Sequence, residues 1–187
     1  DSAGKIYVAD SKNRALYKID SSSGSAQRIG ERELSLPLDV AISPDGRVYV
    51  TDGDTGRIHV FDADGRAVRQ IAVPLEDNVA AKPQGIAVGA AGELYVSYPS
   101  IPAVLVLDED GNILTTIGKT SSEASTLAWP TAIVADQAGH IFVADTELGK
   151  VKQFDAQGQL VATFGQADTG EPVRPIDLTL DQARNLL

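Results

Sequence analysis

The sequence predicts an all-β fold, a propeller of four-stranded antiparallel blades. Three observations predict it. A unit recurs about every 42 to 48 residues, the period of a four-strand propeller blade. Each unit holds four short runs rich in β-branched and aromatic residues, divided by turn residues. The same residues return in the same register: Pro37-Leu-Asp-Val-Ala-Ile-Ser-Pro-Asp-Gly46, then Arg47-Val-Tyr-Val-Thr-Asp52, then Arg57-Ile-His-Val-Phe-Asp-Ala-Asp-Gly65. Two further full units are anchored on Pro83, Gly92, Asp108 and Gly111, and on Pro130, Gly139, Asp155 and Gly158.

Taken in order, the first run of a unit follows its proline, at Val40–Ile42, Ile86–Val88, Ile133–Val134 and Ile176–Leu180. A turn closing on Gly46, Gly92 or Gly139 comes next, because glycine reaches the positive φ of a tight turn at little cost. The second run is the most regular, at Ile6–Val8, Val48–Val50, Leu94–Val96 and Ile141–Val143. It is apolar on both alternations, as a blade packed between two neighbours requires. The third run, Leu16–Ile19, Ile58–Phe61, Val104–Leu107 and Val151–Phe154, leads into turns closing on Gly24, Gly65, Gly111 and Gly158. The fourth, at Arg28–Ile29, Arg69–Ile71, Thr116–Ile117 and Thr163–Phe164, is more polar and suits an outer edge.

Composition narrows the function classes. The chain has 187 residues, 43% of them hydrophobic, enough for one large domain with a core. Without cysteine it has no disulfides, thiolate metal sites or cysteine nucleophiles. A formal charge of −10 is poor for phosphate backbones and anionic membranes, so no nucleic-acid partner is expected. No apolar run reaches the roughly 18 residues of a transmembrane helix. Residue 1 is Asp and no signal segment is visible, which leaves the compartment unset; the composition suits an extracytoplasmic repeat protein, periplasmic or secreted.

The motifs Pro-x-x-Val-Ala, Gly-x-Ile-Tyr-Val-x-Asp and Arg-Ile-x-Val-Phe-Asp-x-x-Gly resemble the NHL-repeat family of β-propellers, over about residues 3 to 185. That family includes scaffolds, RNA binders and a class of lyase. The resemblance implies a ring of six blades, which at ~42–45 residues each needs roughly 250–280 residues. The expected division is a partial blade at 1–33, blades at 34–80, 81–126 and 127–171, and the start of another at 172–187. Asp1–Gly4 matches the turn between first and second runs, and Leu180–Asn185 matches it again, with Leu186-Leu187 opening a second run. The chain then reads as an internal piece of a longer ring. The rival expectation is a closed four-blade ring in which residues 175–181 complete the first blade.

Candidate sites follow from register. Asp10, Asp52 and Asp145 end the second run of three units, and Asp20, Asp62, Asp108 and Asp155 open the next turn; recurrence points to carboxylates that accept backbone hydrogen bonds. The third unit departs from this at Ser97-Tyr-Pro-Ser-Ile-Pro102. The break marks Tyr98 as a candidate binding residue, a flat amphipathic ring on a loop, against the alternative of neutral drift in one degenerate repeat. Trp129 stands before Pro130, where the equivalents are Leu36, Lys82 and Arg174, and is expected either as a loop-face contact or as a plug between blades. Asp39 and Asp177 follow their prolines by two residues, where other units have Gly85 and Ala132. The resemblance puts that position near the mouth of the central channel. Two carboxylates there suit a hard cation such as Ca2+ if backbone carbonyls complete the shell, or else they solvate an open channel. The acidic stretch Pro74–Asn78 and the Ser/Thr-rich stretch Lys119–Thr126 are the longest connections.

His59 and His140 occupy different registers and form no zinc pair, and no nucleophile elbow, phosphate loop or His-Glu-x-x-His motif is present. The first expectation is therefore a non-enzymatic scaffold that takes a protein or small-molecule ligand on a propeller face, with no cofactor. A metal-dependent enzyme similar to the peptidyl-hydroxyglycine lyases is the second, opposed by the lack of histidines at inner positions. RNA binding, as in tripartite-motif NHL proteins, is the third, opposed by the acidic charge.

Overall fold

The computed structural model describes residues 1, 3–75, 81–119, 124–165 and 174–181. They form four sheets in sequence order and, among the described residues, no helix. The first sheet holds β1 (Lys5–Asp10), β2 (Ala15–Asp20) and β3 (Ala26–Ile29). The second holds β4 (Pro37–Ile42), β5 (Val48–Asp52), β6 (Arg57–Phe61) and β7 (Ala67–Ile71). The third holds β8 (Ile86–Val88), β9 (Leu94–Tyr98), β10 (Ala103–Leu107) and β11 (Ile113–Ile117), and the fourth β12 (Pro130–Ala135), β13 (Ile141–Asp145), β14 (Lys150–Phe154) and β15 (Leu160–Phe164). Every pairing is antiparallel between consecutive strands, the meander of a propeller blade.

Strand alternation explains why the second runs are apolar throughout. Side chains point to opposite faces with period two. In β5, Val48 and Val50 join Leu16, Ile29 and Phe61 in the core between the first and second blades, whereas Tyr49 joins Ile58, Leu94 and Val96 in the next core. In β9, Val96 and Tyr98 face that same second core, and Tyr95 faces a third with Ile117, Val143 and Phe154. One core thus fills each seam between blades. At the two ends of the series the alternation has no neighbour: Ile6 and Val8 on β1, and Val161 and Phe164 on β15, are exposed.

The outer strands follow the expected polarity. Most of β3, β7 and β11 is exposed, and each ends in a buried isoleucine, Ile29, Ile71 and Ile117. The turn glycines carry the conformation demanded of them, with φ of +84° at Gly46, whose N–H donates to the Ser43 carbonyl at 2.9 Å.

Two expectations fail. The run Ile176–Leu180 forms no strand, with a single bridge residue at Leu180, because a strand exists only through a paired neighbour. Nor does residue range 175–181 complete the first blade: among the described residues β1 pairs only with β2, and the Pro175 carbonyl is instead held by the Thr146 hydroxyl at 2.6 Å. The turn expected beyond Asp181, residues 76–78 of the acidic stretch and half of the Ser/Thr-rich stretch (120–123) lie outside the described residues.

Candidate functional site

The recurring aspartates are framework. Asp52 is fully buried and accepts hydrogen bonds from the backbone N–H groups of Ser35, Leu36, Asp54 and Thr55 at 2.6–3.0 Å. Asp145 does the same for Ala128, Trp129 and Leu148. Each therefore pins the segment entering its blade as well as the turn that follows, and the bonds to Thr55, Ser35 and Leu36 hold Asp52 below the usual carboxylate range despite its burial. Asp62, Asp108 and Asp155 each accept two N–H groups of their own turns.

A second set of tethers was not singled out from the sequence. One hydroxyl at the end of each second strand donates to a backbone carbonyl at the repeat proline, or the residue after it, of the next unit: Ser11 to Pro37, Thr51 to Gln84, Ser97 to Thr131 and Thr146 to Pro175, all at 2.6–2.7 Å. Ser11 and Thr146 follow the register aspartate and reach the repeat proline. Thr51 and Ser97 stand one residue before that register position and reach the residue after the proline. The donors thus differ by two positions in register, so no single repeat position carries them all.

The channel positions behave as expected in placement. Asp39 and Asp177 line one cavity of about 300 Å³, together with Val40, Ile86, Val134 and Leu178. Asp39 accepts hydrogen bonds from Val40 N–H at 2.8 Å and, across the seam, Ile86 N–H at 2.9 Å. Burial pushes its carboxyl up to about 6, the charge of Asp177 adding to the rise. Gly85 interrupts the carboxylate register for a steric reason: a Cβ there would lie 2.2 Å from the Thr131 carbonyl oxygen of the adjoining blade. Among the described residues no group of three or more His, Cys, Asp or Glu converges on a point. Ca2+ takes six to eight oxygens, so the Asp39–Asp177 pair does not by itself make a calcium site.

Beside the channel, the loop face carries a cavity of about 290 Å³ walled by Leu36, Leu38, Pro83, Pro99 and Trp129, with Lys82 at its edge. The incoming segments of three blades and the turn at Pro99–Ser100 meet there. Trp129 has 46% of its surface exposed and is held through its backbone, N–H to Asp145 at 3.0 Å and carbonyl from Thr146 N–H at 3.1 Å. Its side chain therefore stands at the surface and is not a plug between blades. Leu38, 38% exposed, stands on the opposite wall.

Tyr98 is corrected. It is not on a loop surface but ends β9, 1% exposed, in the core with Ala81, Val96 and Leu105. Its position is that of Asp52 and Asp145, which point into the blade, so an aromatic ring placed there is buried. Its hydroxyl has no hydrogen-bond partner among the described residues, and burial pushes the phenol above its ordinary value.

Neither histidine faces the channel. His59 is buried in β6 beside the Thr55 hydroxyl at 3.1 Å, and burial lowers its pKa. His140 pairs with Asp136 at 2.9 Å on the turn side. Lys152, equivalent to His59, is buried with its ammonium donating to the carbonyls of Ala124 and Thr126.

Comparison with known proteins places this geometry. A search of curated proteins by sequence finds no match. Among solved structures, a streptogramin B lyase superposes with a TM-score of 0.78 at 16% identity, over 100% of this chain and 58% of that one. Virginiamycin B lyase from Staphylococcus aureus gives 0.75 at 20% identity, over 99% and 59%. A Bacteroides caccae protein of unknown function gives 0.68 at 16%, over 97% and 63%. The chain thus spans under two thirds of each, and at these identities the likeness establishes the fold. No transmembrane helix exists among the described residues. The blade motifs, the antiparallel sheets and a family-model match over residues 2–132, more than half of the chain, together make it a member of the SMP-30/gluconolactonase/LRE-like family of β-propellers.

Proposed function

We propose that this chain is a recognition module whose loop face takes a protein or small-molecule partner, without chemistry of its own. The observation that carries the reading is Trp129, half exposed on a rigid backbone beside an apolar cavity. Aromatic anchors beside such cavities dominate recognition energetics, since they bury large area at low entropic cost. The cavity of about 290 Å³ suits one ring or one large side chain of a partner.

The same reading extends to the whole ring. The NHL-like motifs imply six blades, and two further blades would cover the exposed Ile6 and Val8 at one end and Val161 and Phe164 at the other. A metal-dependent lyase is the rival reading, favoured by the lyases among the structural neighbours. Its metal would need ligands beyond Asp39 and Asp177, since among the described residues no group of three or more His, Cys, Asp or Glu converges there.

One experiment separates them. Trp129 is the only tryptophan, so its fluorescence reports the loop-face cavity directly. Quinupristin, bound in one virginiamycin B lyase structure, serves as the probe. Saturable quenching, weakened about tenfold or more by Leu38→Asp, with the probe's mass unchanged on long incubation, supports recognition without chemistry. A changed probe mass overturns it in favour of the enzyme, and absence of any quenching removes this cavity as the site for that ligand class.

A further inference from the structure

The opposite face of the propeller, where first strands turn into second and third into fourth, carries a larger groove of about 690 Å³. It crosses the seam between the second and third blades and ends against Ala156 of the fourth. Its base is lined by the buried Val106, Tyr49 and Tyr95, the last with its hydroxyl on Glu93. Its outer wall is Leu114 on β11, 60% exposed although the strand's last residue, Ile117, is buried. The volume lies within the roughly 300–1,000 Å³ of sites that enclose small ligands.

The rim is charged with one sign in excess. Asp45, Glu93 and Glu109 stand around the groove with Arg47, while the Asp108 carboxylate is taken up by its own turn and Arg69 is engaged by Asp110 and the Glu109 carbonyl. Arg47 pairs with both Asp45 and Glu109, its side chain and theirs roughly half exposed. Exposed ion pairs of this kind hold by under about 1 kcal/mol, so an incoming cation can share or replace the guanidinium. Glu93 is fixed in place, accepting the Tyr95 hydroxyl at 2.7 Å and Ala91 N–H at 3.0 Å, so its carboxylate is preorganised over the floor. An anionic ligand would meet one guanidinium in the lining and three carboxylates; a neutral apolar one would leave the rim unused.

We infer that this groove binds a short peptide segment carrying a lysine or arginine next to a large apolar side chain. The apolar side chain lies on Val106 against Leu114, and the cation reaches Glu93 and Glu109. The overall charge of −10 steers such a segment toward the protein, and the groove's mixed surface selects it from other cations. The site lies on the other face from Trp129 and does not depend on the loop-face reading.

The test uses the full chain and three labelled hexapeptides, alternating Lys and Leu, Lys and Ser, or Glu and Leu, followed by fluorescence polarisation. The Lys/Leu peptide should bind saturably, and about tenfold or more tighter than either counterpart. Leu114→Ser and Glu109→Lys, both on exposed side chains and checked for fold by circular dichroism, should each weaken it by a similar factor. Trp129→Ala should leave it unchanged. Equal binding of the Lys/Ser peptide would reduce the effect to bulk charge and overturn the proposal. So would insensitivity to both groove variants, loss on Trp129→Ala, or no saturable binding of the Lys/Leu peptide.

Discussion

The second and third blades have the same strand order and turns but hold themselves together differently. At three equivalent positions the second has Asp39, Thr51 and Asp52, and the third has Gly85, Ser97 and Tyr98. The hydroxyls do the same work in both: Thr51 accepts the Asp39 N–H and donates to the Gln84 carbonyl, while Ser97 accepts the Gly85 N–H and donates to Thr131. The other two positions diverge. Asp52 gathers four N–H groups around a buried charge, whereas Tyr98 fills its space with a ring and leaves a hydroxyl unmatched among the described residues. Asp39 faces the channel with a carboxylate, whereas Gly85 lets the fourth blade's backbone come within van der Waals range. One architecture is thus held by polar tethering in one blade and by apolar filling and close backbone approach in the next. Satisfied buried polar groups and dense packing are alternative answers to the same exclusion of water.

Asp52→Ala removes the polar tether of the second blade outright. It strips one acceptor from four backbone N–H groups in a dry site, and a loss of about 4 kcal/mol in urea unfolding is expected. A loss below about 1 kcal/mol would mean that the carboxylate is not the tether. Gly85→Ala comes next. Its new methyl meets the Thr131 carbonyl, and displacing backbone in a packed seam should cost about 2 kcal/mol, read as a lowered thermal midpoint. The fourth blade already carries alanine there, Ala132, so an unchanged midpoint would show that the seams are equally roomy. The smallest effect is at Tyr98→Phe. Removing an unmatched buried hydroxyl should change stability by less than about 1 kcal/mol, in the stabilising direction. A larger loss would reveal a partner for that hydroxyl and make the third blade a polar-tethered blade after all.

Much of this was legible in the sequence because it repeats. Blade period, strand alternation and turn glycines are local properties, and recurrence in register distinguishes them from chance. The aspartates announced their framework role in the same way. Asp39 and Asp177 were also placed together correctly, since repeat register maps onto position around a ring. Tyr98 misled because it broke the repeat. A break shows where a blade changes its chemistry, but whether the new side chain points to water or to the core depends on strand direction, and Tyr98 remains inside β9. The hydroxyl set stayed hidden because its donors alternate between two registers, a relation visible only across the seam.

Residue type and spacing along one strand or turn were enough to specify an all-β propeller, its strand runs and turn glycines, its negative formal charge and its lack of thiol chemistry. Only the tertiary structure decided that Tyr98 is core, that Trp129 is surface, that Gly85 must be small, and that two cavities open on opposite faces. Those outcomes depend on what the neighbouring blade brings to each seam, and contacts between residues some 30 to 60 positions apart leave no local signature.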